Sequence, residues 1–329
     1  MKPKSPSKDL NIITITINYP GLRVEKPNIY IVKKSFGYAM IDCGGFDPEN
    51  DFDNLYNELR SHKIELQDIK HVFLTHTHKD HSFLSSKIQA LTGAKIYLGR
   101  DDYPRISNSF EDYRKNFIRI KEYLRYWGFD DSMFSRFCRS FERQYYNCSL
   151  NLNKTVIIDS DLEIDSLKLI NSPGHTSGSV CIYDKELKVL FTGDTILKKI
   201  VLVPVIEYDR GQETGLSMLS RHTDSLRALS NLDYDSILPG HGGVIPREFK
   251  IIDAVLSYIE RRSKRVLSLV LAGKNTVYDI AESLYSKGTL EDVVFKDAPL
   301  VYVSDLMMPL ENLLRNGKIE VKDGIIKPK

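Results

Sequence analysis

The sequence predicts an α/β fold that carries a helical insert and a small winged-helix-like C-terminal domain. Three observations predict it. Short β-rich runs alternate with helices and turn residues from Ile12 to Pro246. Aromatic residues on a helical spacing crowd residues 101–149. Beyond Pro246 the pattern is mostly helical until a closing hairpin signal. A length of 329 residues suits about two domains, at roughly 100–200 residues each. Apolar residues at 42% and charged residues at 27% exclude a disordered chain, a collagen-like repeat and a disulfide-dense miniprotein.

In chain order, the first strands are expected at Ile12–Asn18, Asn28–Lys34, Tyr38–Asp42, His71–Thr75 and Lys95–Leu98, each rich in Val, Ile, Tyr or Thr and bounded by turn residues. Two helices fit between them. One is Asp53–His62, with a start signal at Asp51 or Asp53; the other is Ser82–Thr92, ending at Gly93. Between Tyr103 and Tyr146 lie 13 of the chain's 33 aromatic residues, which marks this stretch as distinct. Phe117, Ile120, Leu124 and Trp127 keep helical spacing, as do Phe134, Phe137, Phe141 and Tyr145, with a break at Gly128 and Asp130–Ser132. This inserted helical pair either packs on the body of the protein or forms a lid whose apolar face lines a substrate pocket. Strands return at Thr155–Ile158, Leu167–Asn171, Val180–Tyr183, Val189–Phe191 and Ser236–Leu238, with a helix at Thr214–Leu229 before the last. Three more helices are expected at Glu248–Ala272, Thr276–Tyr285 and Val303–Arg315. The strands Lys318–Val321 and Ile325–Lys327 then flank Asp323-Gly324. Domains of residues 1–246 and 247–329 follow from this pattern.

Lys plus Arg is 46 and Asp plus Glu is 44, a net charge of only +2, which argues against a protein that grips many phosphates. Residues 247–329 are equally balanced, with 14 basic and 12 acidic residues, so they do not read as a nucleic-acid clamp; packing or a homodimer contact is the expected use. No run of 18 apolar residues predicts a membrane span, and Met1 to Asn11 is polar and basic with no apolar stretch after it. The expectation is a cytoplasmic protein with no membrane partner. Cys43, Cys138, Cys148 and Cys181 form no C-x-x-C pair and are expected to be reduced.

Four polar clusters each follow a predicted strand: Thr75-His76-Thr77-His78-Lys79-Asp80-His81, Ser172-Pro173-Gly174-His175-Thr176-Ser177-Gly178-Ser179, Phe191-Thr192-Gly193-Asp194-Thr195 and Leu238-Pro239-Gly240-His241-Gly242. Strand ends on one rim are where layered α/β folds assemble a site. Five of the eight histidines lie in these clusters. His62, His71 and His222 fall outside them and read as structural. Imidazole and carboxylate are natural ligands of zinc and similar divalent ions. The candidates are His76, His78, Asp80, His81, His175, Asp194 and His241, seven in all. One catalytic ion needs about three protein ligands, so seven suit two ions if one carboxylate bridges. With two ions about 3.5–4 Å apart, a bridging water loses a proton near neutral pH and becomes a nucleophile. A hydrolase follows from that chemistry. The glycine-rich pieces match neither a Walker loop nor a dinucleotide fingerprint and read as turns that aim a histidine.

His76-x-His78-x-Asp80-His81, Pro173-Gly174-His175-Thr176-x-Gly178, Thr192-Gly193-Asp194 and Pro239-Gly240-His241, in that order, resemble the motifs of the metallo-β-lactamase-fold hydrolases over roughly residues 10–245. The resemblance implies a four-layer αββα sandwich with a dinuclear site on its rim. It implies His76, His78 and His175 on a first ion, Asp80, His81 and His241 on a second, and Asp194 between them, with Asp80 also orienting the nucleophile or shuttling a proton. The implied ions are zinc, with manganese or iron as substitutes. Oxygen-handling di-iron members carry Glu where this chain has His78, which favours a zinc-type hydrolase. The C-terminal outline is similar to the winged-helix-like domain of a two-domain subgroup that includes glyoxalase II-like and lactamase-β-like 2 proteins, where Arg261, Arg262 and Arg265 correspond to a basic helix after the last metal histidine.

The expected reaction is attack of a metal-bridging hydroxide on the carbonyl of an ester or thioester of a small acyl substrate. Ile196-Leu197-Lys198-Lys199 lacks the Gly/Cys/Arg-rich pattern of the glyoxalase II branch, and Leu197 stands where quorum-quenching lactonases carry Tyr. Two alternatives are a metal-dependent endoribonuclease and a non-catalytic nucleic-acid-binding regulator. Charge balance and the absence of a large inserted RNA-grasping domain disfavour the first, and the complete ligand set disfavours the second.

Overall fold

The computed structural model describes residues 12–17, 26–45, 47–107, 109–130, 152–198, 218–285 and 299–329. Two six-stranded sheets dominate it. The first contains, in order, β1 (Ile12–Thr16), β2 (Asn28–Lys34), β3 (Gly37–Ile41), β4 (Ile69–Phe73), β5 (Lys95–Gly99) and β6 (Thr155–Ile158). The second runs β12 (Ile245–Pro246), β11 (Ser236–Pro239), β10 (Val189–Gly193), β9 (Val180–Asp184), β8 (Leu167–Asn171) and β7 (Leu162–Ile164).

Period-two alternation explains why the sheets stack. Tyr30, Val32, Ala39 and Ile41 face inward and meet Val180, Ile182, Val189 and Phe191 from the other sheet in one buried cluster. Their neighbours Ile29, Ile31 and Met40 point the opposite way, into a cluster closed by Leu55, Leu59 and Ile88. Those three lie on helices α1 (Pro48–Ser61) and α3 (Ser85–Thr92), the latter preceded by the short α2 (Lys79–Ser82). On the far side of the second sheet, Cys181, Tyr183 and Leu190 pack with Leu226 and Leu229 of a helix at Met218–Ser230, and with Ile252, Val255 and Ile259 of another at Ile251–Leu271. The result is the αββα sandwich expected from the motifs.

The insert begins with α4 (Tyr103–Ser107) and α5 (Ser109–Tyr126), so α6 and α7 are the helices at 218–230 and 251–271. α8 (Val277–Tyr285), α9 (Pro299–Arg315) and the antiparallel hairpin β13 (Ile319–Lys322) and β14 (Ile325–Pro328) complete the three-helix-and-hairpin outline. The apolar stripe of α5 does not face a pocket. Ile120, Leu124 and Trp127 are buried together with Val266, Val270, Ile280, Leu306, Leu310 and Ile326, so the insert and the C-terminal helices share one core. α7 joins this core to the sandwich: Ile252, Val255 and Ile259 of its first half belong to the cluster on the second sheet, and Val266 and Val270 of its second half belong to the cluster that α5 shares with the C-terminal helices. The second half of the insert, with Phe134, Phe137, Phe141, Tyr145, Cys138 and Cys148, lies outside the described residues.

Several elements differ from expectation. α1 starts at Pro48 rather than at Asp51 or Asp53, because Asp47 caps it by accepting the Asn50 amide. The expected helix Ser82–Thr92 is two pieces, interrupted at Phe83–Leu84. β4 ends at Phe73 because the Thr75 amide turns to the Asp42 carboxylate instead of a strand partner. β7 and β12 are short edge strands of three and two residues, too short to carry a periodic signal. Among the described residues, no helix is long and apolar enough to cross a membrane.

Candidate metal centre

Strand direction places the four clusters on one rim. β3, β4 and β5 are parallel, so their C-terminal ends share one edge of the first sheet. β8 and β10 each run antiparallel to β9, and β10 runs parallel to β11, so these three point the same way in the second sheet. His76, His78, Asp80 and His81 follow β4, His175 follows β8, Asp194 follows β10 and His241 follows β11. All seven residues named from the sequence come together there. Gly193 makes the approach possible. Its φ is +49°, and a Cβ at this position would overlap the Thr75 side chain.

The ligand-type atoms fall into three overlapping groups: His76, His78 and His175; Asp80, His81 and His241; and His76, His81 and Asp194, each within 4.8 Å. In the first, His78 Nδ1 lies 3.0 Å from both His76 Nε2 and His175 Nε2. In the second, His81 Nε2 is 3.2 Å from His241 Nε2, and Asp80 Oδ2 is 3.3 Å from His241 Nε2 and 3.7 Å from His81 Nε2. Asp194 spans both groups. Its Oδ1 is 3.5 Å from His81 Nε2, and its Oδ2 is 3.5 Å from His241 Nε2 and 3.7 Å from His175 Nε2.

These separations fit ligands around an ion. Ligands at about 2.05 Å in a tetrahedron stand roughly 3.3 Å apart. The donor set is also the one zinc-like ions take, imidazole nitrogen with carboxylate oxygen. Among the described residues, Asp194 Oδ1 is buried with no hydrogen-bond partner, an arrangement that is costly unless something else engages it. The residues therefore fit two divalent ions.

The two groups differ electrostatically. Burial holds His76 and His175 neutral, moving His175 down to about 3, and the neighbouring imidazoles add to the effect. Burial and then the Arg105 guanidinium lower His78 to about 4. Three neutral rings with lone pairs converging is the state a metal requires. For His81, burial opposes charging, but the Asp80, Asp194 and Asp42 carboxylates outweigh it and raise the pKa to about 9. His241 is likewise raised to about 11 against its burial, chiefly by Asp194. Burial would raise Asp80, yet His81 and His241 hold it at about 2. The second group carries protons that an ion must displace.

The family model for the metallo-beta-lactamase superfamily matches residues 22–241. The chain belongs to the metallo-β-lactamase superfamily. It is similar to a probable metallo-hydrolase, YqjP, of Bacillus subtilis (strain 168), at 24% identity over 78% of this chain and 80% of that protein. It also resembles a beta-lactamase-like protein 2 homolog of Caenorhabditis elegans, 28% identical over 47% of each chain. An atrochrysone carboxyl ACP thioesterase of Aspergillus fumigatus is 25% identical over 44% of this chain and 45% of its own, so these last two matches span about half of either protein. Among solved structures, a metallo-beta-lactamase family protein from Thermus thermophilus superposes with a TM-score of 0.73 at 18% identity, covering 97% of this chain and 99% of that one. A beta-lactamase domain protein from Burkholderia ambifaria gives 0.74 at 13% identity, covering 100% and 97%. At those identities the likeness concerns the fold. A superfamily hydrolase on a fold that binds divalent metals accounts for the rim.

Two buried carboxylates escaped the sequence reading. Asp42, after β3, accepts the Thr75 amide (2.7 Å) and hydroxyl (2.8 Å) and the His81 Nδ1 hydrogen (2.8 Å). The Thr75 hydroxyl in turn lies 3.1 Å from His76 Nδ1. The signal for Asp42 was there: an Asp at a strand end before Gly44-Gly45. Asp102 follows β5 and carried no such mark. His62, His71 and His222 lie outside the three groups. His71 stacks among Phe36, Phe73 and Tyr97, and His222 is buried on α6 against Gly174.

Proposed function

We propose that this chain is a dinuclear metal hydrolase acting on the carbonyl of an ester or thioester of a small acyl substrate. The reading rests on one observation: two ligand groups, each near tetrahedral spacing, joined by a carboxylate that reaches both. His76, His78 and His175 would hold one ion, and Asp80, His81 and His241 the other, with Asp194 between them. Zinc is the expected ion, with manganese or iron as substitutes. Two such ions supply a hydrolytic nucleophile from water at neutral pH and polarise the scissile carbonyl. The chain's own residues do the rest. Asp42 fixes the ring of His81 and, through Thr75, that of His76. Asp80 is more open to solvent than Asp194, at 17% against 10%, which supports a role for it in orienting the nucleophile and passing its proton on.

The balanced charge of the chain and the thioesterase among its relatives favour a small carbonyl compound over nucleic acid. The expected setting is the cytoplasm, and a homodimer contact through the C-terminal region is the expected partner interaction. The test is a metal assay paired with a substrate panel. Purified protein is expected to hold about two equivalents of metal, and His76→Ala is expected to lose metal and turnover together. Acyl-CoA and acyl-glutathione thioesters should be assayed beside single-stranded RNA. Turnover of RNA alone, or no metal and no turnover after adding zinc, manganese or iron, refutes the reading.

A further inference from the structure

Asp102 stands in the turn after β5, with its side chain fully buried. A carboxylate is expensive to bury unless its oxygens are satisfied. Here four donors satisfy them. Oδ2 accepts the Thr77 amide at 2.9 Å, the Thr77 hydroxyl at 3.1 Å and the Thr176 hydroxyl at 3.0 Å, and Oδ1 accepts the Gly178 amide at 3.0 Å. The Arg105 guanidinium lies 3.9 Å from Oδ1. The approach is close enough that a Cβ on Gly178 would overlap the Asp102 backbone and side chain.

The donors come from two loops that are about a hundred residues apart in sequence. Thr77 sits between His76 and His78, and Thr176 and Gly178 immediately follow His175. One carboxylate thus holds the loop after β4 to the loop after β8, and these two loops supply all three rings of the first ligand group. The contacts that hold the second group run instead through Asp42 to His81.

We propose that Asp102 is a positioning residue for the His76–His78–His175 group, locking its two loops together so that the three ring nitrogens converge before an ion arrives. The proposal rests on the reading that this group holds one of two ions. It implies that losing the carboxylate weakens one ion selectively. In Asp102→Asn the shape is kept, but an amide N–H₂ replaces one acceptor and faces either the Gly178 amide or the Thr77 amide with its two neighbouring hydroxyls, so both loops cannot be held as before.

The test uses the full chain. Zinc affinity of both equivalents is measured by competition with a chromophoric chelator, the cobalt(II)-substituted absorption spectrum is recorded, and melting of the metal-free protein is followed. Asp102→Asn is expected to weaken one equivalent by roughly 10- to 100-fold and alter the cobalt spectrum, leaving the other within about twofold. Thr77→Val, which keeps the shape and removes only the hydroxyl, should shift the same equivalent less, and Thr77→Ser should restore it. Two tight equivalents in Asp102→Asn overturn the proposal. So does equal weakening of both with a matching fall in metal-free melting temperature, which marks a general structural role. Should Asp102→Asn fail to fold, the Thr77 pair decides: a Val effect that Ser does not rescue overturns it. A wild-type chain that binds no metal defeats the underlying reading as well, and that failure is told apart because it appears without any substitution.

Discussion

Replacing Asp42 with Asn tests how far the metal centre depends on a residue outside it. Asp42 has a φ of +55°, a conformation that Asn accepts as readily as Asp, so the substitution leaves the backbone undisturbed. What changes is acceptor capacity. The carboxylate takes three hydrogen bonds, two from Thr75 and one from His81 Nδ1, while an Asn side chain has one acceptor oxygen and turns a donor toward the remaining partners. At least one charge-assisted bond is lost, worth about 1.5–3 kcal/mol. If that loss falls on the ligated state, with about 1.4 kcal/mol per factor of ten, metal affinity falls roughly 10- to 100-fold. Because Asp42 reaches His81 directly and His76 through Thr75, both equivalents should weaken, with the second group affected more. The assay is chelator competition on the full chain, with far-ultraviolet circular dichroism to confirm the fold. Unchanged affinities in a folded Asp42→Asn protein would refute the reasoning, since they would mean the orientation of His81 does not depend on its partner.

Two further outcomes concern the core shared by the insert and the C-terminal helices. Trp127 is fully buried there, and Trp127→Ala should cost about 3–5 kcal/mol in urea or guanidinium unfolding, whereas a change below about 1 kcal/mol would show that α5 does not belong to that core. Glu311 on α9 is raised from 4.5 to about 8, mainly by burial, with the Tyr123 hydroxyl of α5 and Arg315 opposing the shift. Between those values the folded chain binds a proton that the unfolded chain has lost, so stability should fall as pH rises from about 4.5 to about 8, by at most roughly 5 kcal/mol. Glu311→Gln should flatten that slope and stabilise the protein at pH 8; equal slopes in the two proteins would count against the protonated carboxyl.

The ligand side chains were legible in the sequence because their chemistry is rare and local. Three His and an Asp within six residues, and Gly-flanked His175, Asp194 and His241, each mark a strand end by composition alone. The sandwich was legible for a related reason. Short runs rich in apolar residues, such as Asn28–Lys34 and Val180–Tyr183, mark strands buried on both faces, and the structure keeps those runs nearly to the residue. The destination of the α5 stripe was not legible. Phe117, Ile120, Leu124 and Trp127 show that one helical face is apolar, but spacing cannot say what covers it; the partner is made of Val266, Val270, Leu306 and Leu310, at least 139 residues further on from Trp127.

The supporting carboxylates were hidden for a deeper reason, and it bears on how such a centre is built. Asp42 and Asp102 each follow a strand that flanks β4, the first directly after β3 and the second in the turn after β5. In a parallel sheet the neighbours of a strand end are the ends of the adjacent strands, whatever their distance in sequence. The loop after β4, with four of the seven candidate ligands, is therefore held from both sides, at Thr75 by Asp42 and at Thr77 by Asp102. These two threonines bracket His76, which, like His81, is common to two of the three ligand groups. An isolated Asp at a strand end looks like ordinary turn chemistry in a sequence, and only sheet order reveals which loop it grips. The two carboxylates then divide the work: Asp102 extends to the His175 loop and Asp42 to His81. A single supporting residue could tune both ions only together, whereas this arrangement makes their affinities separable, and the contrast between Asp42→Asn and Asp102→Asn measures that separation directly.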